Sequence, residues 1–257
     1  MFVELRRTGN KPIEWAESLG HKTNSVFSLW KSIKTRLGMY GVSDALWRQI
    51  RKRSHRNQSV LDAGCGMGEW VAFLNQHGLR ADGLDFSSSM IDANRKQWPN
   101  FKWVHGTIQA IPLEDSVYDH VVSWGVVEHD VEGPSAALRE FFRVLKPGGY
   151  AYVTTPMDTR RTRELSAIEC PPQEGAEFFQ HFFTISELSG HLASVGFDIV
   201  HAAPATRHYA MLFPRLCMEV RRHGRIINAI ANRVLTPIAF LSQEAFHMVL
   251  VVGRKPG

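Results

Sequence analysis

From residue 59 onward the chain alternates between two hydrophobic patterns. Short apolar runs read as buried strands, and between them apolar residues recur every three or four positions, as on one-sided helices. Val60-Leu61 leads into a turn holding Gly64, Gly66 and Gly68, and V-A-F-L-N-Q-H-G then carries helical spacing to Gly78. A second strand over Leu79–Asp85 ends on Asp85, and a helix opens behind Ser87 or Ser88 as cap. Strands are predicted at Phe101–Val104 and Tyr118–Trp124, with a loop and a short helix over residues 105–116 between them. A helix follows at Pro134–Val144, with Leu138, Phe141, Phe142 and Leu145 inward. Lys146–Gly149 makes a sharp turn into a strand over Tyr150–Thr155. A helix over Ser186–Ser194 stops at Gly196, and strands at Phe197–His201 and Phe246–Val252 close the series.

Strands alternating with helices predict an α/β, doubly wound fold, a mostly parallel sheet covered on both faces. Before the first strand, Trp15, Phe27, Leu29, Trp30, Ile33 and Leu37 recur at roughly helical spacing. A second helical segment, Ser43–Arg53, offers Ser43 or Asp44 as cap and Leu46, Trp47 and Ile50 as its apolar face. Residues 1–57 therefore read as an N-terminal helical cover and residues 58–257 as the main domain, with insertions at about 156–183 and 202–245.

Composition changes this picture little. A 257-residue chain with 44% hydrophobic and 21% charged residues is ordinary for a globular domain. No apolar run is long enough to span a bilayer, and M-F-V-E-L-R-R-T-G-N does not read as a secretory leader. Cys65, Cys170 and Cys217 are scattered, which gives neither a disulfide framework nor a paired metal spacing and points to a reducing, cytoplasmic setting. The 12 histidines form no H-x-x-H or H-E-x-x-H pair, so no metal site is expected. A net charge of +5 does not call for nucleic acid. The basic R-K-R-S-H-R-N-Q stretch ending at Gln58 reads as a solvated helix end.

The candidate chemistry gathers where parallel strands end, because ligands bind beyond the carboxyl ends of such strands. The glycine turn, Asp85, the 105–109 loop and Trp124-Gly125 all fall at such ends. The spacing is G-x-G-x-G rather than the dinucleotide G-x-G-x-x-G, and no lysine–threonine pair follows it, which excludes a phosphate-cradling P-loop. A carboxylate ending the second strand accepts hydrogen bonds from both ribose hydroxyls. A ribonucleoside with an amino-acid tail fits better than NAD.

V-L-D-A-G-C-G-M-G, G-L-D-F-S-S-S-M, I-P-L-E-D-S-V-Y-D-H-V-V-S-W-G-V-V-E-H and L-R-E-F-F-R-V-L-K-P-G-G-Y resemble the successive motifs of class I S-adenosylmethionine-dependent methyltransferases, in the small-molecule branch of ubiquinone/menaquinone-type enzymes. The resemblance covers roughly residues 55–200 and implies a Rossmann-like seven-stranded sheet with the last strand antiparallel, and S-adenosylmethionine as methyl donor. It places Asp62, Gly64, Cys65, Gly66 and Gly68 under the methionine part and Asp85 on the ribose. Phe86 or Met90 would lie against the adenine. Thr107 stands where many members carry an acidic residue, so that Thr107, Ile108 and Gln109 supply hydroxyl, backbone or amide there. Trp124 and Gly125 would flank the amino-acid end and the sulfonium.

A methyl acceptor with a proton to shed needs a base. His129, after the fourth of the predicted strands, and His181, in F-F-Q-H-F-F-T, are the candidates, with a brace in an aromatic cluster as the competing role for His181. In the second insertion Leu212, Phe213, Leu216, Ile226, Ile227, Ile230, Val234 and Leu235 mix with Arg215, Arg221, Arg222, Arg225 and Arg233. That blend suits peripheral membrane contact, a lid over a lipid-like acceptor, or a cap packed on the domain or a second subunit. Pro214, Gly224 and Pro237 favour the cap. The expected activity is methyl transfer to a small or lipid-like molecule, against two alternatives: an RNA methyltransferase using residues 48–56, and a non-catalytic cofactor-binding accessory protein.

Overall fold

The computed structural model describes residues 3–7, 40–169, 177–207 and 246–257. In chain order β1 (Val3–Arg7) precedes α1 (Tyr40–Arg53), β2 (Ser59–Ala63), α2 (Glu69–Gln76), β3 (Arg80–Asp85), α3 (Ser88–Gln97), β4 (Trp103–His105) and β5 (Tyr118–Trp124). A single 3-10 turn (Val127–His129) leads to α4 (Ser135–Val144), β6 (Leu145–Pro156), α5 (Arg160–Glu169), β7 (Glu177–Phe182), α6 (Ile185–Val195), β8 (Asp198–Arg207) and β9 (Phe246–Arg254).

Seven strands form one sheet in the order β4-β3-β2-β5-β6-β9-β8. Neighbours from β4 to β6 are parallel, and β9 runs antiparallel to both β6 and β8. This is the expected α/β sheet with its last strand reversed. Chain order switches direction between β2 and β5, which opens a crevice at their carboxyl ends.

Central strands are covered on both faces, so their apolar residues alternate between two cores. Val60, Val122, Tyr152 and Val252 join Leu46, Ile50, Phe73 and Ile91 on one face; Leu61, Val121, Val153 and Val251 join Leu138, Phe141, Leu188 and Leu192 on the other. Gly83 interrupts β3 because Trp103 lies across it. A Cβ there would come within 2.5 Å of the indole and 2.9 Å of Cys65 Sγ.

Several predicted boundaries move. The helix expected over Ser43–Arg53 begins at Tyr40, so Ser43 and Asp44 sit inside it rather than capping it; Leu46 and Ile50 are fully buried, as the pattern implied. Residues 105–116 hold an isolated Thr107–Ala110 bridge in place of a short helix. The Lys146–Gly149 turn is absorbed into β6, whose pairing slips from Tyr118–Leu145 to His120–Tyr150, with Gly148 at φ +80°. In α4 the inward residues are Ala137, Leu138, Phe141 and Val144; Phe142 is only half buried, against Phe197.

The first insertion contributes α5 and β7, and β7 pairs antiparallel with β1 in a separate two-stranded sheet. That pairing puts a strand in the N-terminal region, beside the helix α1. The helical pattern from Trp15 to Leu37, Pro171-Pro172 and the apolar–arginine blend after Arg207 lie outside the described residues. No helix among the described residues is long and apolar enough to cross a membrane.

Candidate cofactor and active site

The site is built on the turn between β2 and α2. Gly64, Gly66 and Gly68 have φ of +93°, +48° and +70°, where side chains are strained. Gly64 N–H and Cys65 N–H both donate to the Leu84 carbonyl, at 2.8 and 2.9 Å, which ties the turn to the end of β3. Below it, the Gly68 Cα faces the Trp103 ring at contact distance, and a Cβ on Gly64 would strike Val126 at 2.5 Å. A Cβ on Gly66 would meet nothing within 4 Å, so this glycine faces open space. Asn94 on α3, itself buried, donates from its amide to the Gly66 carbonyl at 2.7 Å.

Asp85 closes the crevice from β3. Its Oδ2 accepts the Gly66 N–H at 2.8 Å and its Oδ1 the Ser87 N–H at 2.9 Å. Two backbone donors fix the carboxylate, and each oxygen keeps acceptor capacity toward a ligand. Ser87 caps α3 by accepting from Met90 N–H at 3.4 Å, which settles the choice between Ser87 and Ser88. Asp62 is buried one strand over. Burial, then the charge of Asp85, pushes its carboxyl up to about 7. Near neutrality Asp62 therefore holds a proton readily. The Cys65 thiol is driven far above its ordinary range by burial and by these carboxylates, so it lines the turn as an unreactive group.

Gly68 caps α2 in a left-handed conformation with no side-chain hydrogen bond, so the positive end of that helix carries no side-chain cap and suits an anionic ligand group. Open space at Gly66, a held carboxylate at Asp85 and an uncapped helix start at α2 fit a nucleoside with an amino-acid tail.

The other predicted residues divide. Trp124 at the end of β5 is half buried with its ring centroid 6.1 Å from that of Trp70, and Gly125 (φ +65°) donates to the Thr154 carbonyl at 3.1 Å. Phe86 is 39% exposed, with its carbonyl held by His105 Nε2 at 2.9 Å, and Met90 is half buried in the first turn of α3. Thr107 and Gln109 are exposed, the Gln109 amide donating to Asp130 Oδ2 at 3.0 Å, whereas the Ile108 side chain packs into the core. His129 ends the turn after β5 and its N–H donates to the Val126 carbonyl at 3.1 Å. His181 on β7 is buried and its Nε2 lies 3.2 Å from the Val131 carbonyl, which accepts its proton. The two histidines thus stand on neighbouring elements.

Four contributors escaped the sequence reading. Asn94, Trp103 and Trp70 act through packing and long-range hydrogen bonds that no local pattern announces. Glu128, beside His129, is 2% exposed, and burial raises its carboxyl to about 8. Its position in V-V-E-H-D, next to His129 and two residues before Asp130, did not mark it as buried, since burial there is set by packing of the turn.

Sheet order and glycine turn together define a Rossmann-like, doubly wound α/β domain with a ligand crevice at its strand ends. Residues 60–149 match the family described as Methyltransferase domain. The chain is 34% identical over 125 residues to demethylmenaquinone methyltransferase of Chlorobaculum tepidum, covering 46% of this chain and 51% of that protein. It is 34% identical over 124 residues to malonyl-[acyl-carrier protein] O-methyltransferase of Serratia marcescens, covering 46% and 48%. The chain therefore spans about half the length of the curated relatives it matches. A solved structure of Burkholderia thailandensis 1,6-didemethyltoxoflavin-N1-methyltransferase, with its bound substrate and S-adenosylhomocysteine, shares the fold at a TM-score of 0.59 and 16% identity, covering 100% of this chain and 95% of that one.

Proposed function

We propose that this protein transfers a methyl group from S-adenosylmethionine to a small-molecule or lipid-like acceptor. The observation that carries the reading is Asp85: a buried carboxylate at the end of β3, held by two backbone N–H groups beside the open face of Gly66. The names of the relatives point to small or carrier-bound acceptors. S-adenosylmethionine supplies an electrophilic methyl group when bound. The chain's own residues bind, orient and dry the site. Asp85 would take the ribose hydroxyls, Gly64, Cys65, Gly66, Gly68 and the start of α2 the methionine part, Phe86 and Met90 the adenine face, and Trp124 with Gly125 the region of the sulfur. Asp62, kept close to neutral, would avoid a second charge beneath the glycine turn. Thr107 and Gln109 remain assigned to the adenine edge. Ile108 would serve there by its backbone alone. Orientation and exclusion of water supply most of what this transfer needs.

The reading also takes residues 1–57 as a cover over the main domain, a cytoplasmic location, and residues 202–245 as the segment for membrane, lid or subunit contact. Calorimetric titration with S-adenosylhomocysteine tests the central claim. Binding by the unaltered protein and its loss in D85A are expected; equal binding by both would remove Asp85 from the site.

A further inference from the structure

Glu128 sits in the single turn that follows β5, three residues past Gly125. It is buried, and its Oε2 has no hydrogen-bond partner among the described residues. Proteins seldom leave a buried carboxyl oxygen unpartnered, because water has been lost and nothing replaces it. Gly125 leaves room for it: a Cβ there would come within 3.4 Å of Glu128 Oε1. Ser123 on β5 and Thr155 on β6 also carry side-chain oxygens without partners among the described residues, both fully buried. Because Trp124 pairs with Thr154, Thr155 lies alongside Gly125. Three buried oxygens without partners among the described residues thus stand at or just past the ends of β5 and β6, in the stretch that includes Trp124 and Gly125.

Among the described residues, no neighbouring charge offsets the burial of Glu128. Its own turn brings His129 and Asp130, and β7 brings His181, whose Nε2 proton goes to the Val131 carbonyl. The facing end of β6 presents Thr154 and Thr155, which do not ionise. Trp124, at the end of β5, adds flat apolar surface beside Trp70 of α2.

We propose that Glu128 receives the proton of the methyl acceptor, and that the acceptor reacts through an aryl or enol hydroxyl rather than a carboxylate. The inference rests on the methyltransferase reading above. In the step itself the acceptor O–H bond breaks, its proton forms a new O–H bond on the Glu128 carboxylate, and the electron pair stays on the acceptor oxygen as the nucleophile. Glu128 passes the proton to water once product has left. Burial lifts this carboxyl to about 8, which brings its proton affinity close to that of an aryl hydroxyl, near ~10. A carboxylate acceptor has no proton to give at neutral pH and so has no use for a base.

The test uses 2-naphthol and 2-methoxynaphthalene, one ring system with and without the proton, added to protein saturated with S-adenosylhomocysteine. The unaltered protein is expected to bind 2-naphthol about tenfold more tightly, and E128L to bind both alike. E128Q, whose amide oxygen still accepts a hydrogen bond, is expected to keep the preference while methyl transfer to 2-naphthol falls roughly 100-fold in kcat at little changed KM. S-adenosylhomocysteine binding reports folding in each variant, and if E128L fails that check E128Q decides. Equal binding of the two naphthalenes by the unaltered protein, no binding of either, or an E128Q that transfers at full rate overturns the role of Glu128. Failure of the unaltered protein to bind S-adenosylhomocysteine instead overturns the methyltransferase reading.

Discussion

Asp62 and Asp85 are both buried carboxylates, on the neighbouring strands β2 and β3, and their surroundings differ. Asp85 has two backbone donors, whereas burial and the charge of Asp85 raise Asp62. D85N would set an amide N–H against one of the backbone N–H groups. It is expected to cost about 1–3 kcal/mol of stability and to weaken S-adenosylhomocysteine binding, read by thermal melts and calorimetry. The glycines differ in the same way. G64A meets both Val126 and a φ of +93°, so it should destabilise more than G66A, which meets only the left-handed strain of about 1–2 kcal/mol. G66A should instead act on ligand binding. Glu128 gives a signed pH effect. Its carboxyl is raised on folding, so its contribution is present below about pH 4.5 and is lost as pH rises through about 8. E128Q should therefore melt above the unaltered protein at pH 9, with the gap closing toward pH 5. The glycines and Asp85 were legible in the sequence because backbone geometry and a ribose demand those residue types at those places. Glu128 was not, because its burial depends on how a three-residue turn packs against β6 and β7.

At the level of elements, the alternation of patterns was enough to locate the strands of the main sheet, since burial on both faces forces apolar runs. Ends were harder, because they are set by pairing and caps. β6 starts at Leu145 rather than Tyr150 because a slipped register lets the glycine turn stay in the ladder. α6 is the opposite case, with both ends written in local chemistry. Thr184 accepts from Glu187 N–H at 3.2 Å while Glu187 Oε2 accepts from Thr184 N–H at 2.9 Å, and Gly196 closes the helix at φ +112°. T184A should cost about 1 kcal/mol, measured by denaturant unfolding. The β1–β7 pair could not be foreseen, because it joins segments more than 160 residues apart in a register that no local pattern specifies.

For the molecule as a whole, opposed buried groups set the pH range of stability. His120, beneath Tyr152 and bonded to Gln58 at 3.0 Å, is lowered to about 4 by burial. A lowered histidine favours the fold above its unfolded value, and this is lost as pH falls from about 6.5 through 4. Asp62 and Glu128 act in the other direction as pH rises toward 7 and 8. Thermal stability is therefore expected to peak on the acid side of neutrality, at about pH 6, with H120Q flattening the acid limb. The position of β9 has a consequence in time. It lies between β6 and β8, so Thr155 pairs with Val249 and Ala202 with Val251. While the chain is being synthesised, β2 to β6 can already assemble around the glycine turn, but β8 has no partner in the sheet until residues 246–254 have left the ribosome. Until that moment the β6 edge stands open to other chains, and a polypeptide halted before Phe246 should be captured by holding chaperones that the finished one escapes.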